Sequence, residues 1–182
     1  LFSKLDLNLD LKSFNTSKMT MKIEKVTNDT FLKVFDNNLF EHSTSLKPSN
    51  KNNLSSELKL FLDNEEHSLA VGIQAFEDLQ LKNSDRYQYI LPYYNYNKSI
   101  FKNDNIGSIN FNSNGNNNLE NTNQLKSRII NNISYSSFDF FSENGVKNNF
   151  NLNLKNLNSV GKNVSEYKSS PQAELMSIFE LN

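Results

Sequence analysis

The chain has 182 residues, the size of one ordinary domain. Only 36% of the residues are hydrophobic, below the usual share of about 45 to 50%, yet 12% are aromatic, which disfavours disorder throughout. Nineteen basic residues balance 20 acidic ones, so no basic surface marks a nucleic-acid-binding protein.

Strict alternation of apolar and polar residues, the signature of half-buried β-strands, recurs along the chain. We expect eight to ten strands that cover at least half of the chain, with no helix longer than about two turns. Residues 27–51 are the least strand-like, and a helical turn, a strand and a loop all remain open there. The alternation predicts strands at 5–11, 19–25, 54–63, 68–76, 86–96, 129–136 and 150–155.

Turn-forming residues lie between these runs and predict short connections. Such clusters occur at 64–66, at 103–105, at 112–118 around Gly115, and at 143–145. The Asn144-Gly145 pair between two apolar runs is the strongest hairpin signal in the chain. Connections this short join antiparallel neighbours, so we predict an all-β, antiparallel, up-and-down sheet.

The stretch from Ser84 to Lys98 combines five tyrosines with a proline. Alternation places Tyr87, Tyr89, Leu91 and Tyr93 on one face and Gln88 on the other. Such a row is typical of an aromatic girdle at a membrane interface or of a packed sheet face. Pro92 cannot donate a ladder hydrogen bond, so we expect it at a bulge, an edge or a local break.

The sequence carries no pattern of residues typical of catalysis. His42 and His67, the only histidines, have no partner at zinc-ligand spacing. Asp6 and Asp10 are expected on one strand face, as solvated carboxylates. With five glycines and no cysteine, the chain has neither a phosphate-binding loop nor a thiolate. We therefore predict no catalytic, cofactor or metal site, and no enzyme activity.

Two architectures account equally well for strands that are apolar on one face and wet on the other. One is a transmembrane β-barrel with a wet lumen, and the other is a soluble β-sandwich. No apolar run approaches the roughly 20 residues of a membrane helix, so only strands could carry this chain across a bilayer. The start at Leu1 without methionine and the end in mid-pattern at Asn182 suggest an internal fragment.

The sequence resembles the lipopolysaccharide-assembly outer-membrane protein family LptD, also called OstA. The resemblance runs through about 150 residues and includes no catalytic motif. It rests on TNDTFLKVFDNNL (27–39), on FEDL (76–79) leading into SDRYQYILPYYNYNK (84–98), on TNQLKSRIINNISYSS (122–137), on GVKNNFNLNLKNLN (145–158), and on YKSSPQAEL (167–175).

The resemblance implies that residues 1–182 are a partial barrel domain, an early-to-middle part of a very large transmembrane barrel in the outer membrane. Family members insert lipopolysaccharide into the outer leaflet, receive it from periplasmic bridge proteins, and hold a lipoprotein plug, LptE, in the lumen. Lumenal Lys126, Lys147 or Lys155 could pair with lipid phosphates. For each of them, a solvated lysine of the lumen or of a loop is the favoured interpretation, so the residues that bind substrate are unknown.

Two other functions remain open. A porin or another uptake barrel shares the strand pattern and differs in cargo. A soluble, asparagine-rich β-sandwich, for instance a surface adhesin, would bury its apolar rows against a second sheet. The barrel interpretation makes one further prediction: strands cut from a large cylinder leave two unpaired edges, so the sheet should be open, with exposed apolar residues.

Overall fold

The fold of the chain is known from a computed structural model that describes residues 1–39, 50, 52–120, 124–161 and 168–181. The strands account for well over half of the chain, as predicted. They are β1 (Phe2–Asn8), β2 (Thr16–Glu24), β3 (Asn53–Asp63), β4 (His67–Asp78), β5 (Tyr87–Asn103), β6 (Gly107–Glu120), β7 (Gln124–Ser136), β8 (Phe140–Phe141), β9 (Val146–Gly161) and β10 (Lys168–Leu181).

The ten strands form one antiparallel sheet in which neighbours in sequence are neighbours in space. The order is β1-β2-β3-β4-β5-β6-β7-β9-β10, and the short β8 pairs with β9 beyond the end of β7. The sheet is open, with β1 and β10 at its two edges. The predicted all-β class, the antiparallel pairing and the open edges are thus confirmed.

Turn residues fix several of the tight connections. Between β3 and β4, the Asn64 side chain accepts hydrogen bonds from the backbone N–H groups of Glu66 and His67. Between β5 and β6, the Asn103 side chain accepts the Asn105 N–H. Gly145 has a φ of 77°, in the left-handed region, and it forms the predicted β8–β9 hairpin.

The predicted turn at 112–118 is wrong. These residues lie inside β6, which pairs with β5 on one side and β7 on the other. Their asparagine side chains hydrogen-bond along the sheet instead of bending the chain: Asn114 donates to Asn112, which donates to Asn97. The strands are also more varied in length than the 9 to 11 residues of a minimal barrel strand. They reach 17 residues in β5.

One short helix, α1 (Phe31–Leu39), lies within residues 27–51, the stretch that the sequence left open. Its nine residues make about two and a half turns, slightly more than the predicted limit of about two turns. Thr30 occupies the N-cap position of α1, since its carbonyl oxygen accepts the first helical hydrogen bond, from the Val34 N–H. The Asn28 side chain accepts the Thr30 N–H.

The buried core is small and lies at one end of the sheet. Among the described residues, the buried hydrophobic side chains are Val26, Leu32, Leu54 and Leu79. They come from the β2–α1 connection, α1, the start of β3 and the residue after β4. We call this end of the sheet, where β3 begins, the Asn53 end. Elsewhere the described sheet is a single layer.

Candidate functional site

The most informative feature of the molecule is the difference between the two faces of its sheet. Side chains alternate between faces along a strand, and paired residues share a face. The register therefore assigns every paired residue to one face. The first, which we call the apolar face, exposes Leu5, Leu7, Leu58, Ile73, Leu91, Phe101, Leu125, Ile129, Ile133, Phe150, Leu154 and Leu175.

The opposite face, which we call the polar face, carries ion pairs and amide networks. Asp6 contacts Lys4 and Lys18 on β1 and β2, at 3.2 and 3.8 Å. Further along, Lys126 contacts Glu120 at 3.0 Å. A continuous set of asparagines occupies this face on β5 and β6: Asn95, Asn97, Asn110, Asn112, Asn114, Asn116 and Asn118.

The apolar triads of β3 and β9 on this face do not lie on the same rows of paired residues. On β3 the apolar triad Leu58, Leu60 and Leu62 is centred on Leu60, and on β9 the triad Phe150, Leu152 and Leu154 is centred on Leu152. The row of paired residues that contains Leu60 passes through Val71, Tyr94, Gly115 and Ile129 to Asn158.

Leu152 is six residues away from Asn158 along β9, or about 20 Å at roughly 3.3 Å per residue. Five strand spacings separate β3 from β9, or about 24 Å at roughly 4.8 Å each. The band formed by the two triads and the apolar residues between them, which we call the diagonal band, therefore crosses the rows at about 40°. On β6, β7 and β9 a polar row of Ser113, Asn131 and Asn156 borders the band, and further apolar side chains, such as Ile129 and Leu125, lie beyond this row.

The tyrosine-rich strand β5 changes face at its proline. The register shifts between Ile90 and Tyr93, so Leu91 and Pro92 form a bulge, and the expectation for Pro92 is confirmed. Before the bulge, Tyr87 and Tyr89 lie on the apolar face and Gln88 on the polar face, as predicted.

Beyond the bulge, the prediction for Tyr93 is wrong, because the extra residue reverses the alternation. Tyr93 pairs with Gly72 on the polar face, where its hydroxyl donates to Glu57 at 2.5 Å. Gln74 donates to the same carboxylate oxygen at 2.8 Å. The next tyrosine, Tyr94, lies on the apolar face.

Two glycines accept these adjacent tyrosines, one on each face. A Cβ at Gly72 would lie 2.7 Å from the Tyr93 hydroxyl and 2.6 Å from the Leu58 carbonyl oxygen. A Cβ at Gly115 would lie 2.6 Å from a ring carbon of Tyr94. Each ring thus covers a glycine on the neighbouring strand, a way of stabilising glycine within a sheet. The sequence contained both glycines, but pairing them with the tyrosines required the register.

A charged cluster lies at the Asn53 end. Arg86 donates to Glu77 at 2.7 Å and to Asp29 at 2.8 Å, and Lys25 donates to Glu77 at 3.0 Å. The hydrogen bond from Arg86 lowers the pKa of Asp29. The hydrogen bonds to Asp29 and Glu77 raise the pKa of Arg86. Lys25 also lies 5.6 Å from the ring centroid of Tyr87. These ion pairs join the β2–α1 connection to β4 and β5.

The histidines and aspartates considered for metal binding or catalysis do not come together in the described part of the structure. The His67 ring contacts the Tyr96 hydroxyl at 2.9 Å and the Glu66 carboxylate at 3.7 Å, and His42 lies outside the described residues. Asp10 follows the end of β1, so it does not share a strand face with Asp6, contrary to expectation. Within the described ranges, no group of three or more His, Asp or Glu side chains could hold a metal ion.

The three lysines considered for phosphate contacts all lie on the polar face. Lys126 contacts Glu120, and Lys147 contacts Asp139 at 3.2 Å. Lys155 is exposed near the middle of β9. Two of the three therefore have carboxylate partners, and the structure brings none of them to a common point.

No family model, curated protein or solved structure matches this chain. In the part of the chain that the structure describes, no helix has the length and apolar character needed to cross a bilayer. The geometry of the sheet therefore carries the functional argument.

Proposed function

We propose that this chain is part of the wall of a transmembrane β-barrel in the outer membrane, with the apolar face toward lipid and the polar face toward a wet lumen. The diagonal band is the observation that carries this proposal. In a barrel, strands tilt by about 35 to 45° from the axis, so a lipid-facing belt crosses the rows of paired residues at that angle.

The exposed apolar face also supports the proposal. Soluble monomers rarely expose a contiguous apolar patch beyond a few hundred Å², whereas here exposed apolar side chains occur from β1 to β10. A soluble sandwich would need a second layer to cover them. Within the described ranges, only the β2–α1 connection, α1 and the residues after β4 provide buried apolar contacts, at the Asn53 end.

We further propose that the barrel is of the lipopolysaccharide-assembly type, as the resemblance to the LptD family implies. The cargo has acyl chains and a phosphorylated sugar head, so its route needs a wall with an apolar side and a hydrogen-bonding side. The polar face offers amides, hydroxyls and lysines suited to sugars and phosphates. The role is transport without bond chemistry. A lipoprotein plug and periplasmic bridge proteins are the expected partners.

Depletion of the protein in its native cells tests the cargo. The proposal predicts that newly made lipopolysaccharide stays on the periplasmic side, where an impermeant reagent added to intact cells cannot label it. Small-solute uptake would persist. If surface lipopolysaccharide were unchanged and solute uptake fell, a porin or uptake barrel would replace the assembly proposal. Co-purification of a lipoprotein with the protein in detergent tests the plug.

A further inference from the structure

Residues 25–39, which follow β2 and include α1, pack against one end of the sheet. Leu54 and Leu79, which alternation assigns to the apolar face, have exposed fractions of 1% and 6%. They are buried together with Val26 and Leu32 from the β2–α1 connection and α1. Residues 25–39, the described first part of the β2–β3 connection, therefore fold back over the apolar face at the Asn53 end.

Ion pairs hold this arrangement in place. Arg86 bridges Asp29, just before α1, to Glu77 near the end of β4. Lys25 contacts the same Glu77 carboxylate. Three charged contacts and four buried side chains thus fix the start of α1 against the sheet.

The helix nevertheless leaves two apolar side chains exposed. Val34 is 63% exposed and Phe35 44% exposed, although α1 buries Leu32 almost completely. The rings of Phe31 and Phe35 lie 5.2 Å apart. Lys33 is exposed beside them. An exposed aromatic and aliphatic pair next to a lysine is the composition of a helix that lies in a membrane interface.

The position of the helix matches the border of the diagonal band. Leu54, beneath the β2–α1 connection and α1, precedes the band centre at Leu60 by six residues, or about 20 Å along the strand. With strands tilted by about 40°, this is roughly 15 Å from the midplane, the half-thickness of a bilayer's hydrocarbon core. Tyr87, which shares a row of paired residues with Leu54, stacks with Tyr89 at 6.2 Å at the same end of the sheet.

The geometry points to α1 as an interfacial helix on the outer surface of the barrel, with Val34 and Phe35 inserted at the boundary between acyl chains and headgroups. Lys33 then lies level with anionic headgroups. This inference rests on the proposed function, because it places the apolar face in a bilayer. It goes further by assigning a lipid contact to a connection between strands.

Spin labels provide the test, since the chain has no cysteine and each introduced cysteine is unique within it. Nitroxides are attached at Phe35→Cys, at Leu60→Cys in the band centre, and at Lys59→Cys on the polar face, in the protein assembled in phosphatidylglycerol-containing vesicles. Relaxation by oxygen and by a water-soluble nickel chelate reports depth. Val34→Cys is a second helix site.

The expected oxygen-to-nickel ratio is highest at position 60, several-fold lower at 35 and 34, and lowest at 59. A high ratio at 60 with the water value at both 34 and 35 would overturn the interfacial helix and leave the barrel wall intact. A ratio at position 60 equal to that at 59 would overturn the barrel wall, and the inference with it.

Discussion

The β3–β4 pair and strand β5 follow different rules, although all three strands have apolar alternation in the sequence. β3 and β4 pair without interruption from Asn53 with Asp78 to Asp63 with Ser68. At Pro92, β5 shifts register relative to both of its neighbours, β4 and β6. It shifts again relative to β6 between Ser99 and Phe101. Alternation therefore assigns a face only within an uninterrupted stretch of pairing.

The shift in β5 has a structural consequence. It places Tyr93 on the polar face and Tyr94 on the apolar face, where each covers a glycine of a neighbouring strand. In the regular β3–β4 pair, alternation alone assigns the faces, with Leu60 on the apolar face and Lys59 on the polar face. Variants in the uninterrupted β3–β4 pair and in the bulged strand β5 test these two arrangements separately.

The largest effect is expected in the regular pair. Leu60→Arg places a charge at the centre of the band, which costs about 2 to 4 kcal/mol at a bilayer midplane. We expect most of the variant to fail to assemble in the outer membrane. The control Lys59→Arg keeps the charge on the polar face and should assemble normally. Equal assembly of the two variants, measured by protease protection and urea unfolding in vesicles, would contradict the assignment of faces.

The next effect concerns the tyrosine–glycine contacts. Gly115→Ala brings its Cβ to 2.6 Å from a Tyr94 ring carbon, and overpacking of this kind costs about 1 to 3 kcal/mol of unfolding free energy. Adding Tyr94→Leu should restore part of that loss. Gly72→Ala should not be rescued by Tyr93→Leu, because its Cβ also meets the Leu58 carbonyl oxygen. Urea unfolding of the single and double variants measures both couplings.

A smaller effect is expected from one hydroxyl group. Tyr93→Phe removes one of two hydrogen bonds to the same Glu57 oxygen, and because the bond from Gln74 remains, we expect a loss of about 1 kcal/mol. Tyr89→Phe is the matched control on the other side of the bulge, where the ring stacks on Tyr87. A larger loss for Tyr89→Phe than for Tyr93→Phe in the same unfolding assay would argue against the face change at Pro92.

The smallest effect is a dependence on pH at the Asn53 end. The hydrogen bond from Arg86 lowers the pKa of Asp29. The stabilisation is therefore present above the unfolded pKa of about 3.9 and is lost as pH falls below it. A label at position 35 should keep its mobility from pH 8 to 5 and become more mobile below about pH 4. Asp29→Asn should reduce this change, and Glu77, which shares Arg86, accounts for the remainder.

The sequence alone predicted the class of the sheet, its antiparallel pairing, its open edges and the Asn144-Gly145 hairpin, because alternation and turn residues act locally. It failed at 112–118, where asparagine suits a turn and a hydrogen-bonded strand equally well. It failed at Tyr93 because one extra residue reverses the alternation. The diagonal band depends on how distant strands pair, and no local pattern contains that register.

Oxygen accessibility at three positions of the apolar face tests the central claim most directly. Leu60 and Asn158 belong to the same row of paired residues, whereas Leu152 lies six residues further along β9. With nitroxides at these positions in the assembled protein, a barrel wall with a diagonal band predicts equal, maximal oxygen accessibility at 60 and 152. Position 158 should lie about 15 Å from the midplane. Equal depths at 60 and 158, or water-like values at all three positions, would contradict the account.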